Sequence, residues 1–236
     1  MLTDQLRVAV LSTSRAPGLE YLLERRRLVA FVATDPANRD LARATNAGVP
    51  ATVRDIRAFY ASAGAPRRDL TVRREFDRQT AALLSEHHVD LVITCGYLHI
   101  LTAPLLDAYP NRIVNVHDSD LPAYPGLHAV RDAVFAGERS TRSSVNVVTA
   151  GVDTGPVLVR SWSFPTHPLV TDARRWGAGD ILRAYAYAQR EWMMRAAWGP
   201  LMDEAIRCYA EGGAERSAPR TLAPIEPALT LETAVR

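Results

Sequence analysis

Apolar residues in this chain fall into short runs and helically spaced stripes that alternate along its length. Residues 6–11 are a short β-branched run, followed by a Ser/Thr/Pro/Gly cluster at 12–18 and then by Leu19, Leu22 and Leu23 at helical spacing. That order predicts strand, loop and helix. Residues 28–32 repeat the strand signal, and Asp35 with Pro36 offers an N-cap and a first-turn proline for a helix containing Leu41 and Ala42. An arginine-rich polar stretch at 61–68 reads as a surface loop, and Phe76, Ala81, Leu83 and Leu84 mark a helix leading into a strand at 89–95. Val89, Leu91, Val92 and Ile93 are nearly continuous in apolar character, as in a strand covered on both faces. Residues 112–116 give the next such strand, and Ala129, Val130, Ala133 and Val134 the next helix. Beyond residue 143 the texture changes: strands at 144–148 and 157–164 flank a turn at 150–156, which predicts an antiparallel or mixed edge. Residues 180–209 read as one long helix interrupted near Gly199 and Pro200, and a proline-containing tail (Pro219, Pro224, Pro227) follows from Gly212, wrapped on the surface or loose. The fold class expected is α/β: a Rossmann-like, mostly parallel twisted sheet with helices on both faces.

Composition narrows the chemistry. With 236 residues the chain suffices for one α/β domain, and 47% hydrophobic with 23% charged residues excludes a disordered or fibrous chain. All 28 basic residues are arginine, set against 26 acids for a net charge of +2, so lysine-based Schiff-base or P-loop chemistry is excluded. The acids are interleaved with the bases, which argues against a nucleic-acid track. Cys95 and Cys208 are far apart, with neither disulfide-framework nor metal-ligand spacing, and no metal site is expected. The amino terminus does not read as a signal peptide, and no apolar run approaches the roughly 20 residues of a membrane helix. A cytoplasmic protein with no membrane or nucleic-acid partner is expected.

Ligands on parallel sheets collect beyond the carboxyl ends of the strands, which directs attention to the residues after Leu11, Cys95 and Val116. Asn115 and His117 share one side of their strand by period-two alternation, so an amide donor and an imidazole converge there. Together they suit an oxyanion developing at a carbonyl carbon. Taken alone they fit a turn-forming Asn and an incidental surface His equally well. Tyr124, Pro125, Gly126, Leu127 and His128 form a turn ahead of the helix at 129. Asp153, between Gly151 and Gly155, is by itself either a turn-capping acid or a partner that keeps an imidazole charged.

The combination is more specific. The string NVHDSDLPAYPGLHAVRDAV, followed by SVNVVTAGVDTGPVL, resembles the folate-dependent formyltransferases, most closely the branch acting on glycinamide ribonucleotide. The YPGLH form separates it from relatives acting on initiator tRNA or nucleotide sugars. The resemblance covers residues 6–210, is strongest at 90–156, and implies a single formyltransferase domain at 1–211 with a tail at 212–236. Within that domain residues 1–110 would form the acceptor and phosphate half, and 111–211 the catalytic and folate half. By resemblance, Asn115, His117 and Asp153 are catalytic. Leu98, His99, Ile100 and Leu101, with Ala150, Gly151 and Val152, would hold the pterin of 10-formyltetrahydrofolate. Thr13, Ser14, Arg15, Pro125, Gly126, His128 and Glu191 would hold the amine acceptor, with 5′-phosphoribosylglycinamide the first choice. A monomer or homodimer is implied.

Three departures stand out. Asn146 replaces the usual histidine of the second string, and Leu98 and His99 replace a methionine and an arginine. The family's GxGSN loop, whose amides cradle the acceptor's phosphate, is recoded here as Ser12 to Gly18 with Pro17 in its middle. Arg15 and the hydroxyls of Thr13 and Ser14 would then have to grip an anion through side chains. The recoded loop keeps another amine acceptor open, such as an amino sugar nucleotide or a specialised metabolite. A nicotinamide-dependent oxidoreductase is the alternative of another class, and lacks the GxGxxG it needs after the first strand.

Overall fold

A computed structural model of the chain describes residues 6–212 and 218–224. In chain order, β1 (Val8–Ser12) leads through α1 (Leu19–Glu24) to β2 (Leu28–Ala33), and α2 (Leu41–Asn46) leads to β3 (Ala51–Val53). Helices α3 (Ile56–Ser62) and α4 (Leu70–Glu86) carry the chain back across the sheet to β4 (Leu91–Thr94), and α5 (Ala103–Ala108) connects to β5 (Ile113–His117). There follow α6 (Ala129–Ala136), β6 (Ser140–Thr141), β7 (Ser144–Val147), β8 (Val157–Arg160) and β9 (Phe164–Pro165). The last elements are α7 (Leu169–Arg175), the long α8 (Gly179–Ala210) and β10 (Arg220–Thr221).

Eight strands form one sheet in the order β10-β8-β7-β5-β4-β1-β2-β3, while β6 and β9 pair separately. Only β7 runs against its neighbours, so the mixed edge expected after residue 143 is present and the rest of the sheet is parallel. Strand alternation divides the core in two. Val8 and Val10 of β1, with Val114 and Val116 of β5, pack on the face that holds Met193, Trp198 and Leu201 of α8. Ala9, Leu11 and Ile113 pack on the other, with Leu84 of α4 and Leu105 of α5. From β1 the chain first builds outward to β2 and β3, then returns to place β4 on β1's other side, so β1 and β4 flank a topological switch point. Among the described residues no helix is long and apolar enough to cross a membrane.

Several local expectations are corrected. Asp35 and Pro36 do not start a helix: the Asp35 side chain accepts the Ala37 amide at 2.9 Å, Asn38 accepts that of Asp40 at 2.8 Å, and α2 begins only at Leu41. The stretch taken as loop from residue 61 begins inside α3, which Asp55 caps by accepting the amides of Arg57 and Ala58. The strand expected over 157–164 is two, β8 in the main sheet and β9 in the small one. Helix α8 runs through Gly199 and Pro200 without interruption. Gly199 is small for a tertiary reason: a Cβ there would lie 2.5 Å from Tyr21 Cβ. Part of the tail is an edge strand, β10, paired in parallel with β8. Pro227, and the amino-terminal residues 1–5, lie outside the described residues.

Candidate active site

The loops after β1 and β4 meet at the switch point. Thr13 donates its amide to the Gly96 carbonyl at 3.1 Å, and Leu98 donates its amide to the Thr13 hydroxyl oxygen at 3.0 Å. Position 96 must be glycine because a Cβ would stand 2.3 Å from the Arg15 carbonyl, at a φ of 62°. Beside this junction, β5 delivers Asn115 and His117 on the face away from α8.

Asp153, held in a left-handed turn at φ 52°, draws three donors together. One carboxylate oxygen accepts the Gly126 amide at 2.8 Å and faces His117 Nδ1 at 3.5 Å; the other faces Asn115 Nδ2 at 3.4 Å. His117 Nε2 faces the Tyr124 carbonyl at 3.2 Å. Both ring nitrogens thus look at oxygen acceptors, an arrangement satisfied in full only when each carries a hydrogen. Thr94 donates its hydroxyl to Asn115 Oδ1 at 2.9 Å, which fixes the amide so that its NH₂ end faces Asp153 and the cavity.

These groups form the floor of a cavity of about 310 Å³. Its lining includes Leu98–Leu101 from the loop after β4 and Ala150, Gly151 and Val152 from the Asp153 turn. Leu98, Ile100, Leu127 and Val152 are large apolar side chains left 59%, 52%, 70% and 56% exposed, and all four line this one cavity. A polar floor under an apolar rim is a surface that a flat, partly apolar ligand would cover. Two further polar residues of this cavity have surroundings that spacing does not reveal. Asn146, beside Asn115 in the β5–β7 register, is 1% exposed, and its Oδ1 lacks a hydrogen-bond partner among the described residues. Asp118, next after His117, is tied to Arg190 of α8 at 2.5 Å; burial pushes its carboxyl up and Arg190 pulls it back.

A second, larger cavity of about 670 Å³ adjoins the first and shares Gly96, Leu98, Leu127, Arg190 and Trp198 with it. Ser14, Arg15 and His128 line it; Thr13, Pro125 and Glu191 do not, and Gly126 lines the first cavity. Thr13 is 8% exposed and spends its side chain on Leu98 and Thr34. Arg15 and Glu191 form a two-point ion pair, which raises the arginine's pKa and lowers the glutamate's.

His99 also lines the first cavity, edge-on to Tyr97 with 5.2 Å between centroids. Burial, then the positive charges of Arg73, Arg67 and Arg57, lower its pKa from 6.5 to about 4. Because the folded value lies below the unfolded one, the unfolded chain takes up this proton first as pH falls. The stability His99 contributes is therefore present above about pH 6.5 and lost progressively towards pH 4. Denaturation midpoints of the native protein should fall more steeply between pH 7 and 4 than those of His99→Gln; parallel curves would show that His99 is not held neutral.

The formyl transferase family model matches residues 7–167. The chain belongs to the formyl transferase family. It is 32% identical, over 164 residues, to the trifunctional purine biosynthetic protein adenosine-3 of Drosophila melanogaster, covering 66% of this chain and 11% of that protein. It is 39% identical to phosphoribosylglycinamide formyltransferase of Mycobacterium tuberculosis over 88 residues, covering 37% of this chain and 41% of the relative. The chain thus spans less than half the length of these curated relatives. Among solved structures it is similar to glycinamide ribonucleotide transformylase 1 of Symbiobacterium toebii, with a TM-score of 0.68 and 32% identity, covering 91% of this chain and 92% of that one. As a member of the formyl transferase family on the fold its sequence predicted, the chain leaves the oxidoreductase alternative without support.

Proposed function

We propose that this chain transfers a formyl group from 10-formyltetrahydrofolate to the primary amine of a small acceptor, with 5′-phosphoribosylglycinamide the leading acceptor. The carrying observation is the convergence of Asn115, His117 and Asp153 on the floor of an apolar-rimmed cavity that adjoins a second, arginine-lined one. In this reading the first cavity takes the donor. Leu98, Ile100, Leu101 and Val152 flank its pterin, and the backbone of 98–101 and 150–152 satisfies its polar edge. The donor supplies an activated formyl carbon. Everything else is the work of the chain's own side chains.

Asn115 Nδ2 and His117 stand where two donors are needed to stabilise an oxyanion as an amine attacks that carbon. Asp153 orients the imidazole through Nδ1, and its carboxylate is placed to take the proton the amine must lose. The second cavity, with Ser14, Arg15 and His128 on its wall, presents the amine. Both cavities draw residues from either side of residue 110, so the proposed acceptor and folate halves are interleaved in space within one domain. The test is incubation with 10-formyltetrahydrofolate and a panel of amines that includes phosphoribosylglycinamide, an amino sugar nucleotide and glycinamide, following folate absorbance and product mass. Formylation of phosphoribosylglycinamide in preference to the others is expected. Formylation of another amine alone moves the acceptor assignment, and turnover of none removes the activity.

A further inference from the structure

The second cavity is cationic to an unusual degree. Arg15, Arg39, Arg131, Arg183 and Arg190 line it together with His128, and among the described residues no Asp or Glu does. The five arginines are not equivalent. Arg15 is held at two points by Glu191 and Arg190 is tied to the buried Asp118, so the charge of each is answered within the protein. Among the described residues Arg183 and Arg131 pair only with the exposed Asp180 and the half-exposed Asp132, contacts that solvent screens. Arg39 has no ion-pair partner among the described residues, and its own backbone is tied down by the hydrogen bond its amide donates to the Ser14 carbonyl at 3.2 Å.

The backbone of the neighbouring loop does not offer the alternative grip. Thr13 gives its amide to Gly96, Ala16 gives its amide to Asp40 at 2.7 Å, Pro17 has none, and Leu19 gives its amide to the Ala16 carbonyl. That leaves no more than two consecutive amides in the loop, too few for a nest around a phosphoryl group. Helix α1, which follows, is only six residues long.

We propose that Arg39, Arg183 and Arg131 form a guanidinium grip for a phosphoryl group on the acceptor, replacing a loop-amide cradle. Guanidinium groups bind phosphoryl oxygens through paired N–H donors, and three of them around one concave wall match a dianion better than a carboxylate. The committed pair Arg15–Glu191 then shapes the wall instead of binding the anion. This inference deepens the formyl-transfer reading by naming the residues that hold the acceptor's phosphoryl group, and rests on that reading for the word acceptor.

The test reads binding without turnover. Ribose 5-phosphate should bind the native protein in calorimetry and raise its melting temperature, while ribose should do neither. In Arg39→Ala/Arg183→Ala the affinity for ribose 5-phosphate should fall about 10- to 150-fold for each charged contact removed, and Arg39→Lys should keep part of it. Both side chains are exposed, so the fold should survive; unchanged unliganded melting confirms this, and the single Arg39→Ala serves if the double variant is unstable. Equal binding of ribose and ribose 5-phosphate, or undiminished binding by the folded variants, overturns the grip. If the amine panel shows no formyl transfer but the variants lose ribose 5-phosphate, the activity falls and the anion site stands. If phosphoribosylglycinamide is formylated with an unchanged KM in the variants, the activity stands and the grip falls.

Discussion

Replacing Asp153 by Asn is expected to leave the fold intact and to lower turnover by about 10² to 10⁴, roughly 3 to 5 kcal/mol of transition-state stabilisation. The fold should survive because Asp153 sits at φ 52°, a left-handed conformation that Asn adopts as readily as Asp. The chemistry should not. One carboxylate serves three donors: the Gly126 amide, His117 Nδ1 and Asn115 Nδ2. An amide has one acceptor oxygen and adds two hydrogens, so at least one of those donors would face another donor. The imidazole then loses the carboxylate oxygen that faces Nδ1 and aims the ring. Steady-state kinetics on the amine found in the panel, with circular dichroism as the fold control, checks this. The donor's KM should change little, because the apolar rim is untouched. Near-native turnover would remove Asp153 from the mechanism.

The parts of the fold legible in sequence are those whose cause is local. Strands β1 and β4 are buried on both faces, so their apolar character is nearly continuous, and their ends and those of β5 are read within two residues. Helix α3 escaped notice because its buried residues, Ile56 and Tyr60, are few and its remaining surface is polar; the informative signal was the cap at Asp55. Gly199 and Pro200 misled for the opposite reason. They read as helix breakers, whereas the glycine answers the approach of α1 and the loop before it, more than 170 residues away in sequence.

The candidate site divides the same way. Asn115 and His117 could be placed together by strand alternation, and Asp153 by its motif. The ion pairs Arg15–Glu191 and Asp118–Arg190 link residues 176 and 72 positions apart, and no spacing rule reveals them. Arg39 carries no signal of its own until the sheet brings it beside α8 residues on one cavity wall. The orphaned Oδ1 of Asn146 needs coordinates to be seen at all, although the departure from histidine had marked the position.

Gly18→Ala should be among the most damaging single methyls that could be added to the described residues. Gly18 lies at φ 80°, where a Cβ costs about 1–2 kcal/mol in any surroundings. The added Cβ would stand 2.4 Å from the Gly199 nitrogen and 2.8 Å from its Cα, and both belong to the backbone of a helix whose Trp198 and Leu201 are buried. Neither atom yields by rotating a side chain, so the loop must lift off α8, adding about 1–3 kcal/mol of overpacking strain. The sum, about 2–5 kcal/mol, corresponds to a fall in Tm on the order of 10 °C for a domain of this size. The lift would also disturb Arg15, three residues upstream, and its two-point contact with Glu191 on α8. Gly48→Ala is the control, since Gly48 has φ 77° with nothing within 4 Å of a built Cβ. It should show the backbone cost alone. Thermal unfolding of the two variants side by side measures the difference, and equal destabilisation would mean that the loop after β1 does not rest on α8 at Gly199.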